Sequence, residues 1–481
     1  MTLPPIDFTI ILPIVILVAT GLLVLLLDLF LSDEGRSWNA WAALVGVGLS
    51  AASAVVMQWG RSGTTLSGMA ILDNFGLAFQ LLLLGIAALA ILFSLSYLTQ
   101  QNLNRGEYYV LMLFVTAGGM VMATSNDLIT IFLGLELLSL SLYVLAAFNR
   151  AKATSAEAGM KYLLLGGFAS AFLLYGIALT FGTTGTTNLS GIADFFNKNK
   201  IAGNPLPLVG IGLLLVGFGF KIAAAPFHAW VPDVYEGAPT SVTAFMSSAS
   251  KVAGFAALIR VLFVAFPTAY LVAGWGAALA LLAVMTMTVG NVAALLQNNI
   301  KRMLAYSGIA HAGYVLVALA SGTQGSSYTI SGVSAAIFYL IAYTFMNLGA
   351  WCVVLALAHG GDERLNISDF AGLSARRPLL AAALTLFLLS LAGIPPTAGL
   401  MGKWLVFSAA IEQNLIPLAI IGVLNSVISL VYYLRVIAVM YTRPADESIT
   451  LGNASRPLAL AILVSAIGVI VLGLLPAFTL A

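Results

Sequence analysis

The chain has 481 residues, 61% of them hydrophobic and only 8% charged, with a formal net charge of +2. A soluble domain shows roughly 25% charged residues to water, so lipid must be the outer solvent here, and the mean hydropathy of +1.03 agrees. So small a net charge gives no ground for a nucleic-acid partner, and Cys352, the single cysteine, excludes an internal disulfide or an iron–sulfur cluster held by this chain.

Apolar runs of about 20 residues, enough to cross about 30 Å of hydrocarbon, recur along the whole length. The first, Phe8 to Leu27, has no basic segment ahead of it and no small-residue cleavage site, so it reads as a span and not a cleaved signal. Spans are expected near 8–30, 40–59, 74–98, 108–124, 127–148, 160–182, 206–227, 241–265, 272–297, 302–320, 331–358, 378–410, 416–440 and 456–479. Continuous apolar runs favour helices over a barrel. The expected fold is therefore an all-α polytopic membrane protein of about 14 transmembrane helices. The longest polar stretch, Thr183 to Asn204, reads as an outer loop carrying the patch Ile192-Ala193-Asp194-Phe195-Phe196. Tyr235 to Thr240 reads as a connecting turn, with Glu236 placed where it could assist proton uptake from inside.

With the N-terminus outside, the inner loops hold Arg36, Arg105, Arg150, Lys152, Lys161, Lys301, Arg302, Arg364, Arg376, Arg377, Arg443 and Arg456. The outer loops hold Arg61, Lys198 and Lys200. That asymmetry follows the positive-inside rule and puts both termini on the outer side. Two spans carry breaks: Gly217-Phe218-Gly219-Phe220-Lys221 followed by Pro226, and Gly393-Ile394-Pro395-Pro396 followed by Gly399. Proline removes a helix donor and clashes with the preceding turn, so both helices should be interrupted within the membrane. The breaks lie about 170 residues apart, and paired broken helices in an inverted repeat point to a transport path. At a similar offset Gly119, Asp127 and Tyr143 match Gly290, Asn298 and Tyr314. The expected layout is an N-terminal three-helix segment (1–107), a first inverted five-helix repeat (108–265), a second (266–440) and a C-terminal helix (441–481), with one broken helix in each repeat.

Among the acidic residues only Glu136 falls deep within a span, and three lysines are similarly deep: Lys221, Lys251 and Lys403. Inserting such a charge costs at least about 2.5–3.5 kcal/mol, so each needs a partner or a hydrated cavity. Glu136 reads either as half of an ion pair locking two helices or as a proton carrier. Snorkelling is the alternative for the lysines, but they lie farther inside than a lysine stem reaches. Burial disfavours the charged form of a carboxyl or an amine alike. An ion pair at about 6 Å in an effective dielectric of about 20 is worth roughly 2.8 kcal/mol, so moving one partner can change the other's protonation. Arginine, always charged, could not carry the proton.

Of the three histidines, His311 lies inside a span about three helical turns beyond Lys301. It reads equally as a relay to Lys403 or as a hydrogen-bonded core residue. His228 follows Pro226, where gating or relay competes with simple capping, and His359 reads as surface. No two histidines have metal-ligand spacing.

The stretches KIAAAPFHAWVPDVYEGAPTSVTAFMSSASKVAGFAALIR (Lys221 to Arg260), NIKRMLAYSGIAHAGYV (Asn299 to Val315) and GIPPTAGLMGKWLVF (Gly393 to Phe407) resemble the antiporter-like subunits of complex I. The likeness is nearest the subunit N type of bacterial NADH:quinone oxidoreductase, equivalent to NADH dehydrogenase subunit 2, and covers nearly the whole chain. It implies a proton-translocating module of the membrane arm, a non-redox subunit that couples quinone reduction to proton export through buried Glu/Lys relays. It also implies no cofactor in this subunit, with quinone, FMN and iron–sulfur clusters in partner subunits. The implied partners are the M-type and the small K- and J-type membrane-arm subunits. The implied location is the bacterial inner membrane or a thylakoid-type membrane.

By motif, Glu136 and Lys221 resemble the coupled pair of the first half-channel, Lys251 the connecting lysine, and Lys403 the lysine associated with release to the outer side. Lys301 matches a lysine of the second repeat. A lysine at 403, where the M type carries glutamate, and the lack of a long lateral helix after the last span separate this chain from the M and L types. The alternative is an Mrp-type cation/proton antiporter or a membrane-bound hydrogenase subunit of the same superfamily.

Overall fold

In lipid a backbone has no water to bond to, so each apolar run satisfies its own amides by closing into a helix. The computed structural model, which describes residues 6–199, 204–322, 332–358, 363–445, 451–452 and 454–475, follows that rule. Its helices are α1 (Phe8–Asp28), α2 (Ser37–Gln58), α3 (Asn74–Gln100), α4 (Gly106–Thr124), α5 (Leu128–Ala146), α6 (Ala153–Thr184), α7 (Leu189–Lys198), α8 (Leu206–Ile222) and α9 (Val231–Gly237). They continue with α10 (Thr240–Arg260), α11 (Ala269–Leu295), α12 (Ile300–Ser321), α13 (Gly332–Leu357), α14 (Leu373–Arg376), α15 (Pro378–Ala392), α16 (Ala398–Glu412), α17 (Ile416–Thr442) and α18 (Arg456–Leu474). A short hairpin, β1 (Gly63–Thr65) with β2 (Ala70–Leu72), pairs antiparallel between α2 and α3.

Among the described residues twelve helices are long and apolar enough to cross a membrane, and α8 and α15 are shorter apolar helices beside the breaks. Outward residues such as Phe168 and Leu164 of α6 or Val427 and Val431 of α17 are at least 59% exposed, which suits hydrocarbon and not water. The chain is a multi-pass membrane protein.

The chain divides into two units, the first of residues 1–91, 104–222 and 249–275, the second of 92–103, 223–248 and 276–481. In unit 1, α4 and α5 press backbone to backbone: a Cβ on Gly118 would lie 2.7 Å from both the Gly134 carbonyl and the Leu138 amide. Small residues allow such close approach. The Asp127 carboxylate caps α5 by accepting from the Ile129 and Thr130 amides at 2.9 and 3.2 Å. Arg260, 4% exposed, closes the end of α10. It donates to both oxygens of Asp73 at 2.8 and 2.9 Å and to the Ala123 carbonyl at 2.9 Å. Burial works to raise the Asp73 carboxyl, but the hydrogen bonds and charge of Arg260 outweigh it and hold it below the usual carboxylate range.

In unit 2, α12 and α13 are buried over almost their full length. Gly290 of α11 repeats the part of Gly118, its Cβ position falling 2.5 Å from the Ala310 amide and 2.9 Å from the Tyr306 carbonyl of α12. Asn299 caps α12 through the Lys301 and Arg302 amides at 2.8 and 3.3 Å. Around the caps the strand-like bridges Asp127–Asn188 and Asn299–Asn366 also correspond. The glycine and cap matches share one interval along the chain, while the bridge partners Asn188 and Asn366 lie a few residues farther apart. The shared interval puts Gly118 opposite Gly290 and Asp127 opposite Asn299, one residue away from the expected pairing with Gly119 and Asn298.

Both breaks fall where the prolines put them. Helix α8 stops at Ile222, followed by Ala223 at φ +64° and a cis Ala225–Pro226 bond, and α15 stops before Gly393 at φ +90° and a cis Pro395–Pro396 bond. At the second break the chains meet closely, the Cβ position of Gly399 lying 1.7 Å from the Ser390 carbonyl.

Four expectations need correction. The segment read as an outer loop holds α7, whose Asn188 cap and buried Leu189, Ile192 and Phe196 make it an amphipathic helix. Glu236 belongs to α9 and not to a turn. Lys301 and Arg302, read as solvated loop charges, lie in the first turn of α12, Lys301 fully buried. A helix start rich in polar residues looks like a loop in hydropathy alone. Lys161, also counted with the loops, lies in α6 and pairs with Glu157 at 2.8 Å. Lys200 and His359 lie outside the described residues.

Candidate functional site

The three lysines expected to be deep are so: Lys221, Lys251 and Lys403 are 2%, 2% and 4% exposed, and Lys301 joins them at 0%. None of the four snorkels.

In unit 1 the amine of Lys221 stands in the last turn of α8, just before the break. It donates to Ser139 Oγ at 2.9 Å and to the Tyr162 phenol oxygen at 3.4 Å, with the Tyr162 ring 5.5 Å away. Ser139 lies on α5 one turn from Glu136, and Glu136 is half-buried. Glu136 and Lys221 do not touch. Instead Ser170 of α6 donates to Glu136 Oε1 at 2.5 Å, and Ser170, Ser139, Tyr143 and Lys221 all line one small cavity. That cavity has room for about one water molecule. Lys251 is on α10, flanked by Ser250, which donates to the Lys221 carbonyl at 3.4 Å, and by Gly254, whose Cβ position lies 3.5 Å from Lys221 Cγ. So the same stretch of α10 that carries Lys251 packs on the end of α8.

In unit 2, Lys403 of α16 reaches back across the break. Its amine donates to the Leu391 and Ala392 carbonyls at 3.1 and 2.7 Å and to Ser426 Oγ at 2.8 Å, 5.1 Å from the centre of the Tyr314 ring. Those carbonyls form the C-terminal end of α15, where the helix dipole favours a cation. His311 is embedded in hydroxyls, Nδ1 at 2.7 Å from the Tyr339 oxygen and Nε2 at 3.2 Å from that of Tyr433. Tyr433 also meets Ser307 at 2.5 Å, one turn before His311 on α12. Tyr314, against which Lys403 sits, packs at 5.7 Å from the His311 ring. At the start of α12 the Lys301 amine donates to the Ala238 carbonyl at 2.7 Å and stands 3.9 Å from Glu363 Oε2.

His228 is different. It lies in the break after α8, half-exposed, and its carbonyl accepts from the Val231 amide at 2.9 Å at the start of α9. Glu236 accepts from Asn299 at 3.0 Å and from Arg302 at 2.7 Å, and Asp233 accepts from Arg302 at 3.0 Å.

Sequence reasoning missed the hydroxyl partners Ser139, Tyr162, Ser170, Ser307, Tyr339 and Tyr433, and it missed Glu363 and the Arg260–Asp73 pair. Arginine 260 carried a usable signal, a charge near the end of an apolar run that the acidic and lysine inventory passed over. The serines and tyrosines carried none, since such residues also occur on ordinary helix faces. Among the described residues no group of three or more His, Cys, Asp or Glu is placed to hold a metal ion.

The family described as NADH:quinone oxidoreductase/Mrp antiporter, transmembrane, matches residues 125–429. NADH-quinone oxidoreductase subunit N of Trichlorobacter lovleyi is 50% identical over 475 residues, covering 99% of this chain and 96% of the relative. A chain of respiratory complex I from Thermus thermophilus superposes with a TM-score of 0.81 at 35% identity, over 97% of this chain and 98% of that one. A chain of an archaeal membrane-bound sulfane sulfur reductase superposes at 0.85 with 27% identity, over 98% and 96%.

Proposed function

The chain belongs to the NADH:quinone oxidoreductase/Mrp antiporter membrane family, and on that premise we propose that it is a proton-translocating membrane-arm subunit of an NADH:quinone oxidoreductase. Full-length identity of 50% to a subunit N supports this reading over an Mrp-type antiporter. In it the chain is one subunit of an enzyme complex, bears no redox centre, and leaves quinone reduction to its partners. Its location is the bacterial inner membrane, with the basic loops inside and both termini outside.

Carrying the proposal is one observation: four lysines are each 4% exposed or less inside a membrane protein, and Lys221, Lys301 and Lys403 are seated among hydroxyls, backbone carbonyls and a carboxylate. An amine held this way can gain or lose a proton without bulk water. In unit 1 Ser170, which donates to the Glu136 carboxylate, lines the same small cavity as Lys221 and its partner Ser139, so the charge on one biases the proton on the other. In unit 2 the Ser307–Tyr433–His311–Tyr339 row offers groups that both accept and donate, the property a relay needs. Lys403 holds its proton while the Leu391 and Ala392 carbonyls face it and releases it when that seat loosens. Moving one charge against about 100 mV needs about 2.3 kcal/mol, which a shift of about two pKa units supplies. The helix pairs α4–α5 and α11–α12 support our reading of residues 108–265 and 266–440 as two inverted repeats.

Detergent extraction followed by affinity purification tests the assignment. The account expects the chain to co-purify with NADH:quinone reductase activity and with other membrane-arm subunits. A purified chain that exchanges cations for protons by itself, with no quinone-reducing partner, would instead establish the antiporter alternative.

A further inference from the structure

Lys301 is fully buried, so its amine cannot trade a proton with water directly. The Ala238 carbonyl that it bonds at 2.7 Å can accept but holds no proton to give. Its carboxylate neighbour is Glu363, 13% exposed, with Oε2 3.9 Å from the amine. That gap exceeds a hydrogen bond, so a side-chain rotation or a bridging water must close it before a proton moves. Glu363 Oε1 is fixed from the other side by two hydroxyls, Tyr97 of α3 and Thr240 of α10, each donating at 2.6 Å. Tyr97 is itself braced by the Thr240 amide at 3.0 Å. The nearby carboxylates Asp233 and Glu236 are engaged differently, both held by the permanent charge of Arg302 at 3.0 and 2.7 Å. Glu363 thus combines partial exposure, two hydroxyls donating to Oε1, and an Oε2 that lies 3.9 Å from a buried base.

We propose that Glu363 is a proton-carrying residue, through which Lys301 exchanges its proton with the adjoining aqueous side. The inference rests on the proton-translocation reading above. The step is a simple transfer: the protonated Glu363 carboxyl gives its proton to the neutral Lys301 amine, leaving carboxylate and ammonium. Glu363 is then reprotonated from water, and Lys301 passes its proton onward along α12 toward Ser307 and Tyr433. Sequence alone gave no hint of this residue, because it stands outside every apolar run.

The test uses the assembled complex in sealed vesicles, comparing Glu363→Gln, Glu363→Asp and Lys301→Ala. Glutamine keeps an oxygen for Tyr97 and Thr240 but cannot carry the proton. We expect Glu363→Gln to slow proton-pumping quinone reduction at least about tenfold, as loss of an acid–base group does, and Glu363→Asp to restore most of it. Normal pumping in Glu363→Gln alongside its loss in Lys301→Ala would overturn the role of Glu363 and leave the wider reading intact. Normal pumping in Lys301→Ala, Lys221→Ala and Lys403→Ala together would instead sink that wider reading. Should Glu363→Gln fail to assemble, dicyclohexylcarbodiimide labelling of the unsubstituted complex decides, since the reagent attacks protonated carboxyls. Labelling at Glu363 that declines as pH rises supports the proposal, and no labelling at any pH contradicts it.

Discussion

In unit 1 the breaking helix itself carries the amine, and Lys221 finds hydroxyls of α5 and α6 with a carboxylate one serine farther on. In unit 2 the amine follows the break, and Lys403 folds back onto the carbonyls that the break exposes. The frames agree: Gly118 and Gly290 set the same helix approach, and Asp127 and Asn299 the same cap. The filling does not agree. At the position of Ser139, which receives Lys221, the second unit has His311 with its tyrosines. The lesson is that scaffold and chemistry separate: frame residues should govern stability in both units alike, and filling residues should govern proton handling in different ways.

The largest effect is expected from Gly290→Val and Gly118→Val. Each added side chain meets backbone that cannot yield, costing about 3 kcal/mol or more, and the yield of assembled complex should collapse for both. A large loss for one and none for the other would break the correspondence of frames.

Next comes Asp73→Asn in unit 1, which strips Arg260 of its charged partner. With Asp73 at 33% exposure and Arg260 at 4%, the cost lies between surface and buried limits, on the order of 2 kcal/mol. The sign with pH follows from the lowered carboxyl. The pair's contribution is complete above the ordinary carboxylate value and is lost as pH falls through the lowered one. Thermal melts of the assembled complex should show that acid-side loss in the parent and not in Asp73→Asn.

Capping changes come third. Asp127→Ala and Asn299→Ala should each cost about 1 kcal/mol in denaturant or thermal midpoints. Smallest in stability is Tyr433→Phe, about 0.5–1.5 kcal/mol. It removes the hydroxyl that joins Ser307 to His311, so it should slow proton uptake in sealed vesicles several-fold while leaving assembly unchanged. If Tyr143→Phe in unit 1 did the same, the difference in filling would be blurred.

Much of this was legible in the residues. Spans stand out because lipid tolerates no polar backbone, and the breaks because proline cannot continue a helix. Lys221, Lys251 and Lys403 announce themselves as charges inside apolar runs. Lys301 did not, because its run begins with it, and neither did Glu363, which reaches Lys301 only through folding. The hydroxyl partners were invisible since a serine or tyrosine in a helix costs little and signals nothing until a neighbour is known. Helix α7 was lost for a similar reason, its three buried apolar residues being too few to read as an element.

The most direct measurement is the number of protons moved per quinone reduced, taken on assembled complex in sealed vesicles with Glu136→Gln and with Lys221→Ala. The account predicts that the ratio, or the pumping-linked turnover, falls in both. An unchanged ratio at unchanged turnover in the two variants would contradict it.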